Sequence, residues 1–549
     1  MIPLFLVLLL HLHPAWARQV NISVDASRII GNLEATTRFF GADEPNEAVY
    51  PDGKALIHNL GNLGPHQTYS RAHNLLTTCD PENQTEPHRL KWGCTNAYTE
   101  DDSGNPIYNF TIVDEIFDTY LAHGVKPYAQ ASFMPKALST SPDPYTFYFD
   151  PSSEYNLIYV GWSYPPTSWE KWGALNYQWV KHCVERYGKD EVESWYWEVW
   201  NEPTIPYWNG TQAQYFTLYD YAVEGILRAL PSATVGGPEV AGGPDADWLG
   251  LFLDHTINGR NNATGGKDST PGHLQMNMSA ALHNVEDAFV VIQSYDSLNN
   301  LPVVIGEDDP DGCAACVTPE IDYRNGLIFP SYTAASFTRQ IDLAVKYGIN
   351  LTGQLTWAFV FDDYPFFNNF RVLATNQINK PILNIFRMFG KMQSQRLAAT
   401  STGQYQLESV VEGSIRDESD VGVLASIDDK ENKMAVMIWN YHDNALPKPD
   451  AQISFNISNA FPGCTEGRLK HYRIDQSHSN AYSTWLAMDS PQDPTQQQYT
   501  QLKAAGELQM LHEPTTIKLD SEEEGLRFEL PIHAVSLLVL EGVRGSQHI

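Results

Sequence analysis

Between residues 39 and 392, short apolar runs alternate with stretches of helical period. Nothing else in the chain constrains its fold as strongly. Strand then helix, repeated, is the pattern of βα units that build a parallel sheet. The expected strands are 39–43, 69–73, 125–134, 195–200, 234–238, 302–307 and 355–359. Between them, Trp172, Leu175, Trp179 and Cys183 share one helical face ahead of Gly188. Tyr215, Leu218, Tyr219, Ala222 and Ile226 share another before Pro231, and Ile382, Ile385, Phe386 and Phe389 run to Gly390. These faces are core, because apolar residues at helical spacing need a packing partner.

Seven strands of an eightfold plan are thereby placed. The sixth has no strand pattern: two helices are expected, at 248–257 and 273–295, joined by a polar, Gly-rich segment at 258–272. Either an atypical segment closes the barrel or the chain is a shortened variant. After residue 392 the period changes to short alternating runs at 405–411, 421–427, 434–439, 453–457, 469–474, 526–530 and 535–540, as in a β-sandwich. Residues 20–24 are positioned to add a strand to it. The expected α/β architecture is a (β/α)8 TIM barrel at 39–392, lacking a normal sixth strand, with a C-terminal β-sandwich at 393–549 and an N-terminal segment at 18–38.

A chain of 549 residues exceeds one compact core, so two domains are expected. The net charge of −31 disfavours nucleic acid and anionic membrane surfaces as partners. Residues 1–17 read as a secretory signal, an apolar run ending in Ala15-Trp16-Ala17. Eight Asn-x-Ser/Thr sequons, at Asn21, Asn83, Asn109, Asn209, Asn262, Asn277, Asn350 and Asn456, fit a secreted, extracellular glycoprotein. Six cysteines are too few to form the scaffold. Cys79 and Cys94 are placed to bridge, Cys313 and Cys316 to form a local bridge or two free thiols, and Cys183 to be a buried thiol.

The chemistry gathers at strand ends. Trp195-Tyr196-Trp197-Glu198-Val199-Trp200-Asn201-Glu202-Pro203 reads as a buried strand stopping at a carboxylate. Pro203 is expected to hold Glu202 extended. Glu307 ends the run Val303-Val304-Ile305-Gly306 in the same way. Residues at the carboxyl ends of barrel strands are where such folds place catalysis. Two carboxyls are what glycosidic hydrolysis requires, one to protonate the leaving oxygen and one to attack carbon or activate water.

The set Tyr196–Pro203, Tyr207-Trp208 and Val235-Gly236-Gly237-Pro238 resembles glycoside hydrolase family 39, which holds β-xylosidases and α-L-iduronidases on the clan A barrel. Phe40-Gly41-Ala42-Asp43-Glu44-Pro45, Arg71-Ala72-His73-Asn74, Thr356-Trp357-Ala358-Phe359 and Tyr472-Arg473-Ile474-Asp475 extend the resemblance. It implies a retaining exo-glycosidase without cofactor or metal, acting on an oligosaccharide or polysaccharide fragment. Glu202 would be the acid/base and Glu307 the nucleophile, about 5–5.5 Å apart. Asn201 would bind the sugar 2-hydroxyl. His73 would touch other hydroxyls or be a satisfied polar residue. Trp357 would be a sugar-stacking wall or a core indole. Arg371 would touch the sugar or pair with Asp362-Asp363.

Two departures stand out. The nucleophile context is Gly306-Glu307-Asp308 where relatives carry Thr-Glu-Phe or Thr-Glu-Trp, and adjacent acids would raise Glu307's pKa if they pointed inward. The sixth strand, which in relatives ends Ser-Phe-His, is not found. The expected activity is β-D-xylosidase-like. The alternatives are an arabinofuranosidase or iduronidase type, a catalytically impaired carbohydrate-binding derivative, and a surface glycoprotein working through its sandwich.

Overall fold

The computed structural model describes residues 18–79, 93–141, 145, 161–241, 248–253, 276–295, 300–311, 319–358, 361–362, 364–368, 370–428, 430–444, 449–519 and 525–544. The expected signal, Asn83, Asn262, Cys313, Cys316 and the 258–272 segment lie outside them.

The described chain starts with β1 (Arg18–Asn32), a strand of the second sheet, and then enters a curled parallel sheet. Its strands are β2 (Phe39–Ala42), β3 (Thr68–Ala72), β4 (Val125–Ala131), β5 (Tyr196–Val199), β6 (Thr234–Gly236), β7 (Val303–Ile305) and β8 (Leu351–Trp357). Their order is β6-β5-β4-β3-β2-β8-β7, every pair parallel. Each expected strand is therefore present, with ends shifted by a few residues. Among the described residues the two edges of this sheet are β6 and β7, the strands that flank the expected place of the sixth stave. Helices α1 (Pro51–Gly61), α2 (Thr111–Ala122), α3 (Trp169–Tyr187), α4 (Gln212–Ala229), α5 (Met278–Gln293), α6 (Ile328–Tyr347) and α7 (Pro381–Phe389) return the chain between strands and after the last.

Local chemistry sets the helix ends. Ser168 caps α3 by accepting the Lys171 N–H at 3.2 Å, and Gly188 stops it with φ at 89°. Thr211 and Gln214 form a reciprocal capping box at the start of α4. Trp172, Leu175, Trp179 and Cys183 are all buried, as their spacing predicts. Helices α3 and α4 approach so closely that a methyl on Gly225 would lie 2.2 Å from the carbonyl oxygen of Gly173. Helix α5 starts at Met278, later than its sequence pattern suggests, because Asn277 caps it.

The second sheet holds β1, β9 (Gln395–Ser401), β10 (Asp420–Asp428), β11 (Lys433–Tyr441), β12 (Ala451–Ser458), β13 (Cys464–Ile474), β14 (Gln509–Met510), β15 (Thr515–Lys518), β16 (Leu526–Leu530) and β17 (Val535–Arg544). The order is β14-β13-β17-β11-β10-β9-β1-β12-β16, with β15 on β13. The N-terminal segment thus joins it: β1 pairs antiparallel with β9 and parallel with β12. One core collects Val20, Ile22, Val423, Ile438, Phe455 and Leu538. Alternate residues of β10, β11 and β17, among them Leu424, Met437, Trp439 and Leu537, belong instead to the core shared with the parallel sheet's helices. A strand's two faces serve two cores.

One expected strand is a helix. Residues 405–411 do not extend; Leu407–Gly413 coil as α8, with Val410 and Val411 buried. Leu407, Val410 and Val411 stand at i, i+3 and i+4, a helical spacing rather than an alternation. Short helices at Ala481–Leu486 and Gln496–Ala505 were not foreseen; they pack Trp485 and Leu502 against Phe367 and Ile378 of the loop after β8.

Candidate active site

The strand ends converge on Arg71, which is fully buried within β3. Its Nε donates to Glu198 Oε2 at 2.8 Å, and its Nη2 to Asn201 Oδ1 at 2.7 Å. Its Nη1 reaches Glu307 Oε1 and the Gly306 carbonyl, each at 3.4 Å. Burial opposes the guanidinium's charge, but Glu198, Glu239 and Glu307 overcome that cost and raise its pKa. Glu198 is further held by Tyr128 Oη at 2.9 Å and Gln130 Nε2 at 2.5 Å. A buried ion pair this well hydrogen-bonded fixes geometry more than it adds stability.

Glu202 follows β5 at a sharp turn. Trp200 and Glu202 have φ of 69° and 43°, so Glu202 is left-handed, not extended as Pro203 suggested. Each such residue costs of order 1–3 kcal/mol and persists only where its surroundings enforce it. The surroundings are specific: Trp200 N–H donates to Ala131 O at 3.2 Å, and its indole to Tyr207 O at 3.0 Å. Asn201 is buried between Arg71 and Glu202, its Nδ2 lying 3.4 Å from Glu202 Oε2. Burial, then repulsion from Glu307 and Glu239, raises Glu202's pKa well above the ordinary carboxyl range.

Glu307 lies beyond β7 with its side chain 30% exposed. Burial raises its pKa too, while Arg71 and His73 pull it back. His73 is buried, with Nδ1 on Asp43 Oδ1 at 2.6 Å and Nε2 facing Glu307 Oε1 at 3.9 Å. That Nε2 has no hydrogen-bond partner among the described residues. The adjacent acids do not point at Glu307. Asp308 accepts from Gln340 Nε2 at 2.7 Å, and Asp309 binds Arg371, Thr356 Oγ1 and the Trp357 N–H.

Two expected sugar contacts are placed differently. Trp357 is 1% exposed, its ring 4.8 Å from that of His73 and 5.7 Å from the Arg71 guanidinium. It is a wall behind those residues, not an open stacking face, because Gly41 and His73 cover it. Arg371 is 2% exposed and pairs with Asp309 at 2.9 Å and Asp311 at 3.6 Å, rather than with Asp362. It pins the loop that follows Glu307.

Arg71, Glu198, Asp43 and Glu239 complete the cluster, and sequence reasoning singled out none of them. Charges inside short runs of strand-forming residues, as at Arg71 and Glu198, were the available signal, since a buried charge requires a partner. Among the described residues no His, Cys, Asp and Glu group has the arrangement of a metal site. Elsewhere Cys79 and Cys94 are bridged, with Cα atoms 5.0 Å apart, and Cys183 is a buried free thiol. The six described sequon asparagines are all exposed.

The chain is 27% identical over 432 residues to a β-xylosidase of Caldicellulosiruptor saccharolyticus, covering 74% of this chain and 78% of that one. It is 23% identical to an α-L-iduronidase of Mus musculus, over 77% of this chain and 67% of that one. A monomeric β-xylosidase from Caulobacter crescentus CB15 shares the fold, with TM-score 0.71 and 22% identity over 96% of this chain and all of that one. The model of the glycosyl hydrolases family 39 matches residues 60–517. With carboxyl-bearing strand ends gathered round one buried arginine on this fold, the chain belongs to glycosyl hydrolase family 39.

Proposed function

We propose that this protein is a secreted retaining exo-glycosidase that releases a terminal neutral sugar, most simply β-D-xylose, from polysaccharide fragments. The carrying observation is the unequal surroundings of two carboxyls around Arg71. At Glu202 burial and like charge outweigh the pull of Arg71 and favour the protonated form, while at Glu307 burial is opposed by both Arg71 and His73, whose side chains lie beside it and favour its anion. Glu307 attacks the anomeric carbon as Glu202 gives its proton to the leaving oxygen, forming a glycosyl-enzyme. Glu202 then takes a proton from water, which attacks the same carbon and restores the configuration. Asn201 and the unpartnered His73 Nε2 are suited to sugar hydroxyls. Arg71 and Arg371 are both already neutralised by carboxylates, which favours a neutral glycone over a uronate. Export rests on the leader and sequons of the sequence, and a mobility shift on enzymatic deglycosylation of the secreted protein checks it.

The test is a panel of aryl β-D-xylosides, α-L-arabinosides and α-L-iduronides. Turnover is expected, highest on the xyloside, and roughly 10³-fold or more slower in both Glu202→Gln and Glu307→Gln on substrates with poor leaving groups. Azide is expected to rescue Glu307→Ala and give the glycosyl azide of inverted configuration. Sugar binding by calorimetry with no turnover on any substrate would replace this reading with a carbohydrate-binding protein.

A further inference from the structure

We propose that Glu239 is a positioning residue for Glu307, acting through Gly306; this rests on the glycosidase reading above. Glu239 lies just beyond β6, and Glu307 just beyond β7. These strands are the two edges of the parallel sheet, with no hydrogen-bonded strand between them among the described residues. Glu239 spans that gap at its catalytic end. Its carboxyl carbon and both oxygens lie 2.3 Å from where a methyl on Gly306 would stand, so the carboxyl packs flat against the Gly306 backbone. From another direction Arg71 Nη1 reaches the Gly306 carbonyl at 3.4 Å. Gly306 is thus held between the Glu239 carboxyl and the Arg71 guanidinium, one residue ahead of Glu307.

This gives the Gly306 departure a physical reason. A threonine in that place would put its Cβ where the Glu239 carboxyl stands and push that flexible side-chain end aside, so the glutamate's position requires the glycine. The support is also needed. Strand β7 is only Val303–Ile305, partly exposed along its length, and its one described ladder is with β8. Glu239 is partly exposed as a residue, while its carboxyl end packs inward on Gly306. Burial first, then Glu198 and Glu307, push Glu239's pKa up to about 8 against the pull of Arg71. A glutamine has the same length and flat end as the protonated carboxyl, so it can pack in its place.

The test assays Glu239→Ala, Glu239→Gln, Gly306→Ala and the Glu239→Ala/Gly306→Ala double variant beside the wild type, on the aryl glycoside that the wild type turns over fastest. Glu239→Ala is expected to lower kcat roughly 10–100-fold with KM within about threefold, because a nucleophile displaced by an ångström loses rate rather than binding. Glu239→Gln is expected to recover most of that loss. Gly306→Ala alone is expected to match Glu239→Ala, yet to cost little on the Glu239→Ala background, where the methyl has room. Additive losses, or a Glu239→Ala enzyme with kcat within about threefold of wild type, would overturn the role. If Glu239→Ala does not fold, a Glu239→Gln enzyme as slow as Gly306→Ala would overturn it equally. A wild type inactive on every aryl glycoside overturns the glycosidase reading itself, and this role with it.

Discussion

At Glu202 and Asp308 the same physical cause, burial of a carboxyl, has different consequences. In the proposed mechanism Glu202 must hold a proton to serve as the acid, and its raised pKa keeps that proton at higher pH. Activity is therefore present below Glu202's folded pKa and lost as pH rises through it. The alkaline limb of kcat/KM is expected to lie well above the ordinary carboxyl range and to vanish in Glu202→Gln assayed with an activated aryl leaving group. Asp308 is 8% exposed with only Gln340 donating to its carboxyl among the described residues, and its pKa rises from 3.8 to about 7. Below about pH 4 both folded and unfolded chains keep this proton, and its contribution to stability is whole. Between about pH 4 and pH 7 the unfolded chain releases the proton while the folded one retains it, so stability falls as pH rises. Asp308→Asn has no proton to lose. Its stability relative to wild type is expected to improve by roughly 3–4 kcal/mol between pH 4 and pH 8, read from urea melts at the two values.

At the scale of elements, two contacts decide how strands and helices are held. Helices α3 and α4 touch at Gly173 and Gly225, where a methyl would meet a backbone oxygen at 2.2 Å. Backbone cannot move aside as a side-chain tip does, so Gly225→Ala is expected to cost roughly 2–3 kcal/mol, visible as a lowered melting temperature. The other contact is the loop after β7. Asp309 and Asp311 bind Arg371, and Asp311 also binds Arg324 at 2.5 Å. Arg371→Met would leave Asp309 buried with only Thr356 and the Trp357 N–H for company. It is expected to lower both melting temperature and kcat, since the loop it anchors begins at Glu307. A loss of sugar affinity alone, with kcat intact, would return Arg371 to the substrate-contact role its position in the sequence suggested.

Across the whole molecule, the two sheets share a core rather than meeting at a wet surface. Arg339 of α6 pairs with Asp420 of β10 at 2.8 Å, both fully buried, and Tyr332 of α6 meets Tyr441 of β11 at 5.7 Å between ring centres. Arg339→Met leaves the Asp420 carboxylate uncompensated apart from Trp439 Nε1 and the Tyr405 N–H. The expected cost is about 3 kcal/mol, in a single cooperative urea transition; two separated transitions would show that the sheets unfold independently. The amino-acid order alone carries the βα alternation, the second β-rich region, the helix stops at Gly188 and Gly390, and the two strand-ending glutamates, because period and backbone stops are local properties. It did not determine that residues 407–413 coil, because a short apolar run fits either period until its neighbours choose. Nor did it determine the partners of Arg71, the left-handed turn at Glu202, the burial of Trp357 and Arg371, or the reach of Glu239 to Gly306. Those depend on distances between residues far apart in the chain. Strand register and helix packing set such distances, and they exist only once the sheet has curled.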